Sequence, residues 1–197
     1  MTPPTDRSTA RHEAAHAVVA VRLDLALSYT SIQRGTAAGD GSIRAEAQRT
    51  APPGKVLVSA GVTVLERDPL ARSEAAFPNP QARAHLEKVP VYQAAGIVAE
   101  AKMGVGLHDE ANRNDLDYLM RQAETLLGIT FNHADSPPAV REWLAAQIKE
   151  ADRVLHVDGG AAWDRVMAAL LRKNDLIGDE VRALVAEADR ESGFAGR

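Results

Sequence analysis

The apolar positions in the first part of the chain recur with the period of a helix. Between residues 6 and 27, Ala, Val and Leu dominate, and Ala14, Val18, Val21 and Leu25 are separated by three or four positions. Residues at this spacing share one face of a helix, and an apolar face turns toward the core. The pattern therefore predicts that the chain opens with a long helix whose inner face is buried.

A different pattern follows this helix and predicts a small β element. Tyr29, Thr30 and Ile32 form a short run typical of a strand, and the glycines that come next mark turns. Residues 42–46 can pair back as a second strand. A Val-rich segment, residues 55–66, suits a strand and a buried helix equally well.

The remainder of the chain is expected to be helical. Start and stop signals predict helices over residues 81–102 with a bend or break at Pro90, from Asn112 or Asn114 to Gly128, from Pro137 to His156, over residues 161–173, and over residues 179–189. The fold class we expect is therefore mainly α, with a small β element after the first helix.

Composition supports this fold class and excludes some partners. Hydrophobic residues make up 45% of the 197 residues but aromatics only 4%, so Ala, Leu and Val must form the core, which favours packed helices. The formal charge is −4 and no block of Lys and Arg occurs, so we do not expect a nucleic-acid partner. No stretch approaches the ~20 apolar residues that a membrane helix needs, so no membrane association is expected.

The chain contains no cysteine, which limits the chemistry that it can perform. A disulfide framework, a cysteine nucleophile and a thiolate metal site are all excluded. Any zinc site must therefore use histidine and carboxylate ligands. The N-terminal residues also lack the charged and then apolar pattern of a signal peptide, so we expect a cytoplasmic protein.

Residues 12–16 spell His-Glu-Ala-Ala-His, an HExxH motif inside the first predicted helix. Positions i and i+4 lie on the same face of a helix, so the imidazoles of His12 and His16 can reach one metal ion. Glu13 is rotated to one side, where its carboxylate can reach the water that zinc activates. Glu13 would accept a proton from this water and pass it to the leaving amine.

The motif has a simpler interpretation, a surface helix on which two histidines and a glutamate form ion pairs. Chance alone would place HExxH in roughly one chain in a hundred of this length and composition. This helix is rich in Ala and Val, however, and two imidazoles are difficult to bury there without a ligand. The setting favours a zinc site.

Two histidines need a third protein ligand, with a fourth position left for water. The candidates are His85, His108, His133, His156 and the carboxylates of residues 104–117, among them Asp109, Glu110, Asp115 and Asp117. The segment 106–117 is the richest, because it leads from a glycine turn into the start of a helix. Asn114 and Asp115 fit equally well as ordinary cap and first-turn residues.

Several further blocks resemble the peptidase domain of FtsH, the membrane-anchored AAA+ zinc protease. They follow the family order and cover most of the chain: residues 12–20 (HEAAHAVVA), 30–35 (TSIQRG) followed by Ala38-Gly39, 96–100 (GIVAE), 114–116 (NDL) and 175–184 (DLIGDEVRAL). The resemblance implies a single FtsH-type peptidase domain over residues 1–197. Its catalytic part would end near residue 135, and a C-terminal helical part would cover about residues 136–190.

The resemblance also implies roles for two carboxylates. The aspartate of the family's Asn-Asp-Leu segment is the third zinc ligand, which points to Asp115. The family's helical glutamate near the site corresponds to Glu100, as an acidic partner beside the ligands. Glu100 is equally consistent with a charged residue at a helix end.

The chain departs from the family pattern in ways that affect function. Ala15 replaces a glycine inside HExxH, Gln33 replaces the usual residue before Arg-Gly, and residues 51–80 are longer than the family's connection. No GxxxxGK[ST] loop occurs and only eleven residues precede His12, so neither an AAA+ module nor a membrane anchor is expected. The ATP-driven unfolding of the FtsH family is therefore not expected of this chain.

The function that we expect is a stand-alone, ATP-independent zinc metalloendopeptidase acting on unfolded or flexible polypeptide. The strand over residues 29–34 would offer an edge on which an extended substrate is held by main-chain hydrogen bonds. The alternative is a catalytically inactive metal-binding domain for interaction or regulation, its groove blocked by residues 51–80. A helical scaffold without metal is the third reading. Homo-oligomer formation stays open, because the AAA+ ring contributes heavily to the family's hexamers.

Overall fold

The computed structural model describes residues 6–32, 62–65, 80–104, 113–133 and 135–194. These residues form six helices and three short strands. In chain order they are α1 (Asp6–Arg22), β1 (Leu27–Ser31), β2 (Val62–Leu65), α2 (Pro80–Ala101), α3 (Arg113–Leu127), α4 (Pro138–Leu155), α5 (Ala161–Lys173), β3 (Asp175–Ile177) and α6 (Gly178–Glu191). The mainly α fold class is confirmed. No helix in the described ranges is long and apolar enough to cross a membrane.

Helix α1 lies in the centre of the fold, in contact with α2, α4, α5 and α6. Its small side chains, among them Ala10, Ala14 and Ala17, are fully buried, which allows the neighbouring helices to approach closely. The helix ends at Arg22, earlier than the predicted residue 27. The reason is local, because Asp24 adopts a left-handed backbone conformation with φ 56° that a helix cannot continue through.

The three strands form an antiparallel sheet in the order β2-β1-β3. Thr30 of β1 lies opposite Thr63 of β2 on one side and Leu176 of β3 on the other. Our expectation that the strand after α1 is a sheet edge is therefore wrong. Residues 175–177, which lie between two predicted helices, pair with β1 and make it the central strand. The proposed second strand over residues 42–46 lies outside the described residues.

A bend or a break was expected at Pro90; helix α2 continues through this residue, so a break is wrong and a bend stays a prediction. A proline inside a helix removes one main-chain hydrogen bond. The buried residues that follow it, including Val91, Ala94 and Ala95, pack into the core and offset that loss. The uninterrupted helix matters for function, since its second half carries the residues that surround the HExxH motif.

The start of α6 is fitted tightly against β1. A Cβ atom on Gly178 would overlap the carbonyl oxygen of Leu27, so a side chain cannot be accommodated there without displacing the main chain. Glu180 accepts a hydrogen bond from the backbone N–H of Ile177 at 3.1 Å. These contacts hold β3 and α6 at one side of the strand that follows α1.

The side chain of Arg22 joins the ends of several helices. It donates hydrogen bonds to the carbonyl oxygens of Val154 and Leu155 at the end of α4, at 2.8 and 3.2 Å. It also forms ion pairs with Asp158, at 2.8 Å, and with Asp189 of α6, at 2.5 Å. The Asp158 carboxylate accepts hydrogen bonds from two backbone N–H groups at the start of α5. One buried cation thus fixes the C-terminal helices to the helix of the motif.

Candidate metal centre

Three side chains from two helices converge on one point. His12 and His16 lie one turn apart on α1, and their Nε2 atoms are 3.2 Å from each other. Asp115, in the first turn of α3, places its Oδ2 3.3 Å from each of the two Nε2 atoms. His16 and Asp115 are buried, at 4% and 6% exposure, and His12 is half-buried. These three are the group that could hold a metal ion among the described residues.

Hydrogen bonds on the far side of each imidazole orient the two rings. The Nδ1 of His16 is 2.9 Å from the carbonyl oxygen of Tyr92, and the Nδ1 of His12 is 3.1 Å from Oε1 of Glu100. A carbonyl or a carboxylate oxygen only accepts, so each Nδ1 must donate its hydrogen. In the neutral imidazoles the proton is then on Nδ1, and the Nε2 lone pairs face the centre. This is the form in which histidine binds a metal.

The carboxylate of Asp115 is oriented in a similar way. The side-chain amide of Gln93, on α2, donates a hydrogen bond to Oδ1 of Asp115, which leaves Oδ2 facing the histidines. Gln93 was not among the residues expected from the sequence. A signal was present, because position 93 lies three residues before Gly96 and seven before Glu100, on the same face of a helix.

Buried carboxyl groups lie around the convergent atoms. Glu13, Glu100 and Asp115 are exposed by only 5%, 8% and 6%. Burial alone would raise the pKa of Asp115, but the neighbouring His16 and His12 hold it well below its ordinary value. Burial alone would lower the pKa of His12, but Asp115 and Glu100 hold it well above its ordinary value. Surroundings that favour a proton on His12 also favour a metal cation facing it.

Glu13, the second residue of the motif, lies close to the centre without being one of the three convergent side chains. Its negative charge adds to the raised pKa of His12. It also adds to the strongly raised pKa of the Tyr92 phenol, for which burial is the first cause. The Tyr92 ring lies beside His16, with ring centroids 5.0 Å apart. Glu13 and Tyr92 are therefore, in addition to Glu100, ionisable groups near the histidines.

Gly96 leaves the space in front of the ligands open. A Cβ atom at this position would overlap Oδ2 of Asp115 and lie 2.5 Å from Nε2 of His16 and 2.6 Å from Cε1 of His12. Any other residue type at position 96 would fill the place where the three donor atoms converge. The absence of a side chain here is therefore a property that a metal site requires.

The three donor atoms fit a tetrahedral metal ion. Ligands 2.0–2.2 Å from zinc in a tetrahedral site lie about 3.3–3.6 Å from each other. The observed separations between the Nε2 atoms of His12 and His16 and Oδ2 of Asp115 are 3.2, 3.3 and 3.3 Å. Two nitrogen donors and one carboxylate oxygen are a donor set that zinc accepts, with one position left over.

Of the other candidates, those whose side chains the structure describes do not join this group. His133 is exposed, and its Nε2 lies 3.7 Å from Oε1 of Glu124. The ring of His156 lies beside that of Trp163, and its Nδ1 is 2.9 Å from the carbonyl oxygen of Asp152 in α4. Asp117, two residues after the third convergent side chain, is half-buried. The remaining candidates, which are His108, Asp109, Glu110 and the side chain of His85, lie outside the described residues.

Asp115 and Glu100 had two interpretations, as ordinary residues at helix ends and as acidic groups of the metal site. The observed positions agree with both. Asp115 does lie in the first turn of α3, and Glu100 does lie near the end of α2. Their side chains nevertheless turn inward to the histidines.

Comparison with models of known protein families gave no match, and comparison with curated proteins gave none either. The FtsH resemblance thus rests on the sequence blocks alone and stays a prediction.

Proposed function

We propose that this protein is a zinc metallopeptidase of the FtsH-like type, which hydrolyses peptide bonds in unfolded or flexible polypeptide without ATP. One observation carries the most weight. The Nε2 atoms of His12 and His16 and Oδ2 of Asp115 lie 3.2–3.3 Å from one another, and the charge of the buried Glu13 acts on His12. Three candidate ligands and a nearby carboxylate that can act as the base support metal-assisted hydrolysis.

Each residue has a distinct part in this reaction. When bound, zinc supplies Lewis acidity, which polarises a peptide carbonyl and makes water acidic enough to attack it. Glu13 accepts the proton of the attacking water as the bond from oxygen to the carbonyl carbon forms. Glu13 then gives this proton to the amide nitrogen as the carbon–nitrogen bond breaks. Glu100 and the Tyr92 carbonyl keep His12 and His16 in the ligand orientation.

The sheet supports binding of an extended chain, although not along the strand that the sequence suggested. β1 is paired on both sides, so its hydrogen-bonding groups are already used. Among the described strands, β2 and β3 are the outer ones. A substrate strand would add to one of these edges, where main-chain hydrogen bonds give affinity without demanding one sequence.

The central test is to measure zinc content and peptide-bond hydrolysis in the same preparations. We expect the full chain to purify with about one zinc, because three protein ligands retain the ion. Cleavage of unfolded, dye-labelled casein should stop with a zinc chelator and return with added zinc. Glu13→Gln should keep the metal and lower the rate by about 100- to 10,000-fold, the usual contribution of a general base.

Glu142→Gln, an exposed site on α4, is the matched control and should leave the rate unchanged. Full activity of Glu13→Gln would exclude Glu13 as the base. A protein that holds zinc but cleaves no unfolded substrate would instead support a metal-binding domain without turnover.

A second test concerns the substrate. Opening a stable folded protein requires about 5–15 kcal/mol, which binding along one short strand does not supply. A folded protein should therefore resist cleavage, and the same protein destabilised by a core substitution should be cut. Equal rates for the two forms, or a rate that rises with ATP, would reveal an unfolding activity.

A further inference from the structure

One face of α2 contacts every member of the candidate metal centre. The Tyr92 carbonyl accepts from His16, Gln93 donates to Asp115, Gly96 leaves the centre open, and Glu100 accepts from His12. These positions are separated by one, three and four residues, which places them on neighbouring turns of one helix. α2 thus orients side chains that come from two other helices.

The contact of Gln93 differs from the others in its chemistry. Asp115 is the one convergent residue with two equivalent donor atoms, since either carboxylate oxygen can bind a cation. The NH2 group of the Gln93 side chain donates a hydrogen bond to Oδ1 of Asp115. This hydrogen bond distinguishes the two oxygens, and only Oδ2 faces His12 and His16.

We propose that Gln93 is a positioning residue that makes Asp115 bind the metal through one oxygen. The inference rests on the proposed zinc site and adds to it the control of how that site is coordinated. A carboxylate that binds through both oxygens uses two positions around a metal ion. By engaging Oδ1, Gln93 keeps one position free for the reacting groups.

The competing explanation is that Gln93 merely joins α2 to α3. Both explanations predict a loss of stability when the amide is removed, so stability alone does not separate them. Zinc affinity and the visible spectrum of cobalt at the site do separate them. Tetrahedral cobalt absorbs visible light much more strongly than cobalt of higher coordination number, and a purely structural contact would not change the spectrum of the folded protein.

The experiment uses the full chain with Gln93→Leu, which removes the amide, and Gln93→Glu, which keeps the shape but replaces the donor with an acceptor. Gln122→Leu on α3 is the control, because it makes the same change at a half-buried glutamine on the helix that carries Asp115. Circular dichroism verifies that each variant is folded. Zinc Kd is measured by competition with a chromophoric chelator, and cobalt is then titrated into the metal-free protein.

We expect zinc to bind about 10- to 100-fold more weakly to Gln93→Leu, the usual effect of losing a partner of a metal ligand. The cobalt absorption should weaken at saturating cobalt, and Gln122→Leu should match the unchanged protein in both measurements. If Gln93→Leu does not fold, Gln93→Glu decides by the same two measurements.

Unchanged affinity and spectrum in the folded Gln93 variants would overturn the positioning role while leaving the zinc site intact. Failure of the unchanged protein to bind zinc or cobalt would overturn the proposed function together with this inference. The two failures are therefore distinguishable.

Discussion

Gly96 lies so close to Asp115 that a methyl group at position 96 would overlap the carboxylate oxygen Oδ2. The two residues come from different helices, α2 and α3, which meet at the point where His12 and His16 also converge. The glycine therefore keeps a space open in an otherwise close-packed interior.

Gly96→Ala should abolish metal binding. The added methyl group fills the convergence point, and overpacking of this kind costs about 1–3 kcal/mol of stability. The measurements are zinc content of the purified protein and its free energy of unfolding in urea. Gly104→Ala is the control, because its φ of +80° makes a side chain strained while nothing lies within 4 Å of the added atom. The control should lose some stability and keep its zinc, and a Gly96→Ala protein with full zinc would show that the space is not used.

Asp115→Asn should lose most of its zinc, and Asp117→Asn should not. Both residues lie on α3 and the chemical change is the same, but only the carboxylate of Asp115 faces the histidines. An amide oxygen is a much weaker zinc ligand than a carboxylate, so affinity should fall steeply. Metal analysis after dialysis gives the comparison. Equal zinc in the two variants would mean that another residue is the third ligand.

Arg22→Met should destabilise the fold by about 3–5 kcal/mol, because it leaves the buried carboxylate of Asp158 and the partly buried carboxylate of Asp189 without their cation. Arg153→Met is the matched control. Arg153 is 64% exposed and pairs with Glu150, and exposed pairs contribute about 1 kcal/mol or less. Urea unfolding measures both. A small effect at Arg22 would show that the helix ends are held by apolar packing instead.

The ion pair of Asp158 should make stability depend on pH in the acid range. Burial alone would raise the pKa of Asp158, but the hydrogen bond from Arg22 and the N–H groups of α5 hold it below its ordinary value. A depressed pKa contributes stability that is present above the ordinary aspartate range and is lost as the pH falls through the folded-state value. Asp158→Asn should thus cost most at neutral pH, and its difference from the unchanged protein should shrink on acidification. A difference that is constant with pH would exclude this ion pair as its cause.

Local patterns in the sequence were sufficient for the presence of the helices and for two of the candidate metal ligands. The i, i+4 spacing of His12 and His16 places both imidazoles on one face wherever the helix packs. The fully buried Ala14 and Val18 agree with the apolar period of α1. Periodicity was less informative for residues 55–66, part of which forms β2, since a short apolar run fits a strand and a helix alike.

Contacts between distant segments decided the rest. The sequence alone left four histidines and the carboxylates of residues 104–117 open as the third ligand, and the FtsH resemblance pointed to Asp115, 99 residues after His16. The pairing of β3 with β1, which removed the expected edge, joins residues that are far apart in the chain.

The hydrogen bonds of Glu100 to His12 and of the Tyr92 carbonyl to His16 span 88 and 76 positions. The amide of Gln93 and the lack of a side chain at Gly96 affect the site only because α2 packs beside α1 and α3. The sequence by itself determined which donors and which helices are present. Tertiary packing alone decided which oxygen and which ring nitrogen face the site and which of the described strands lie at the sheet edges, because these arrangements depend on neighbours that no local pattern encodes.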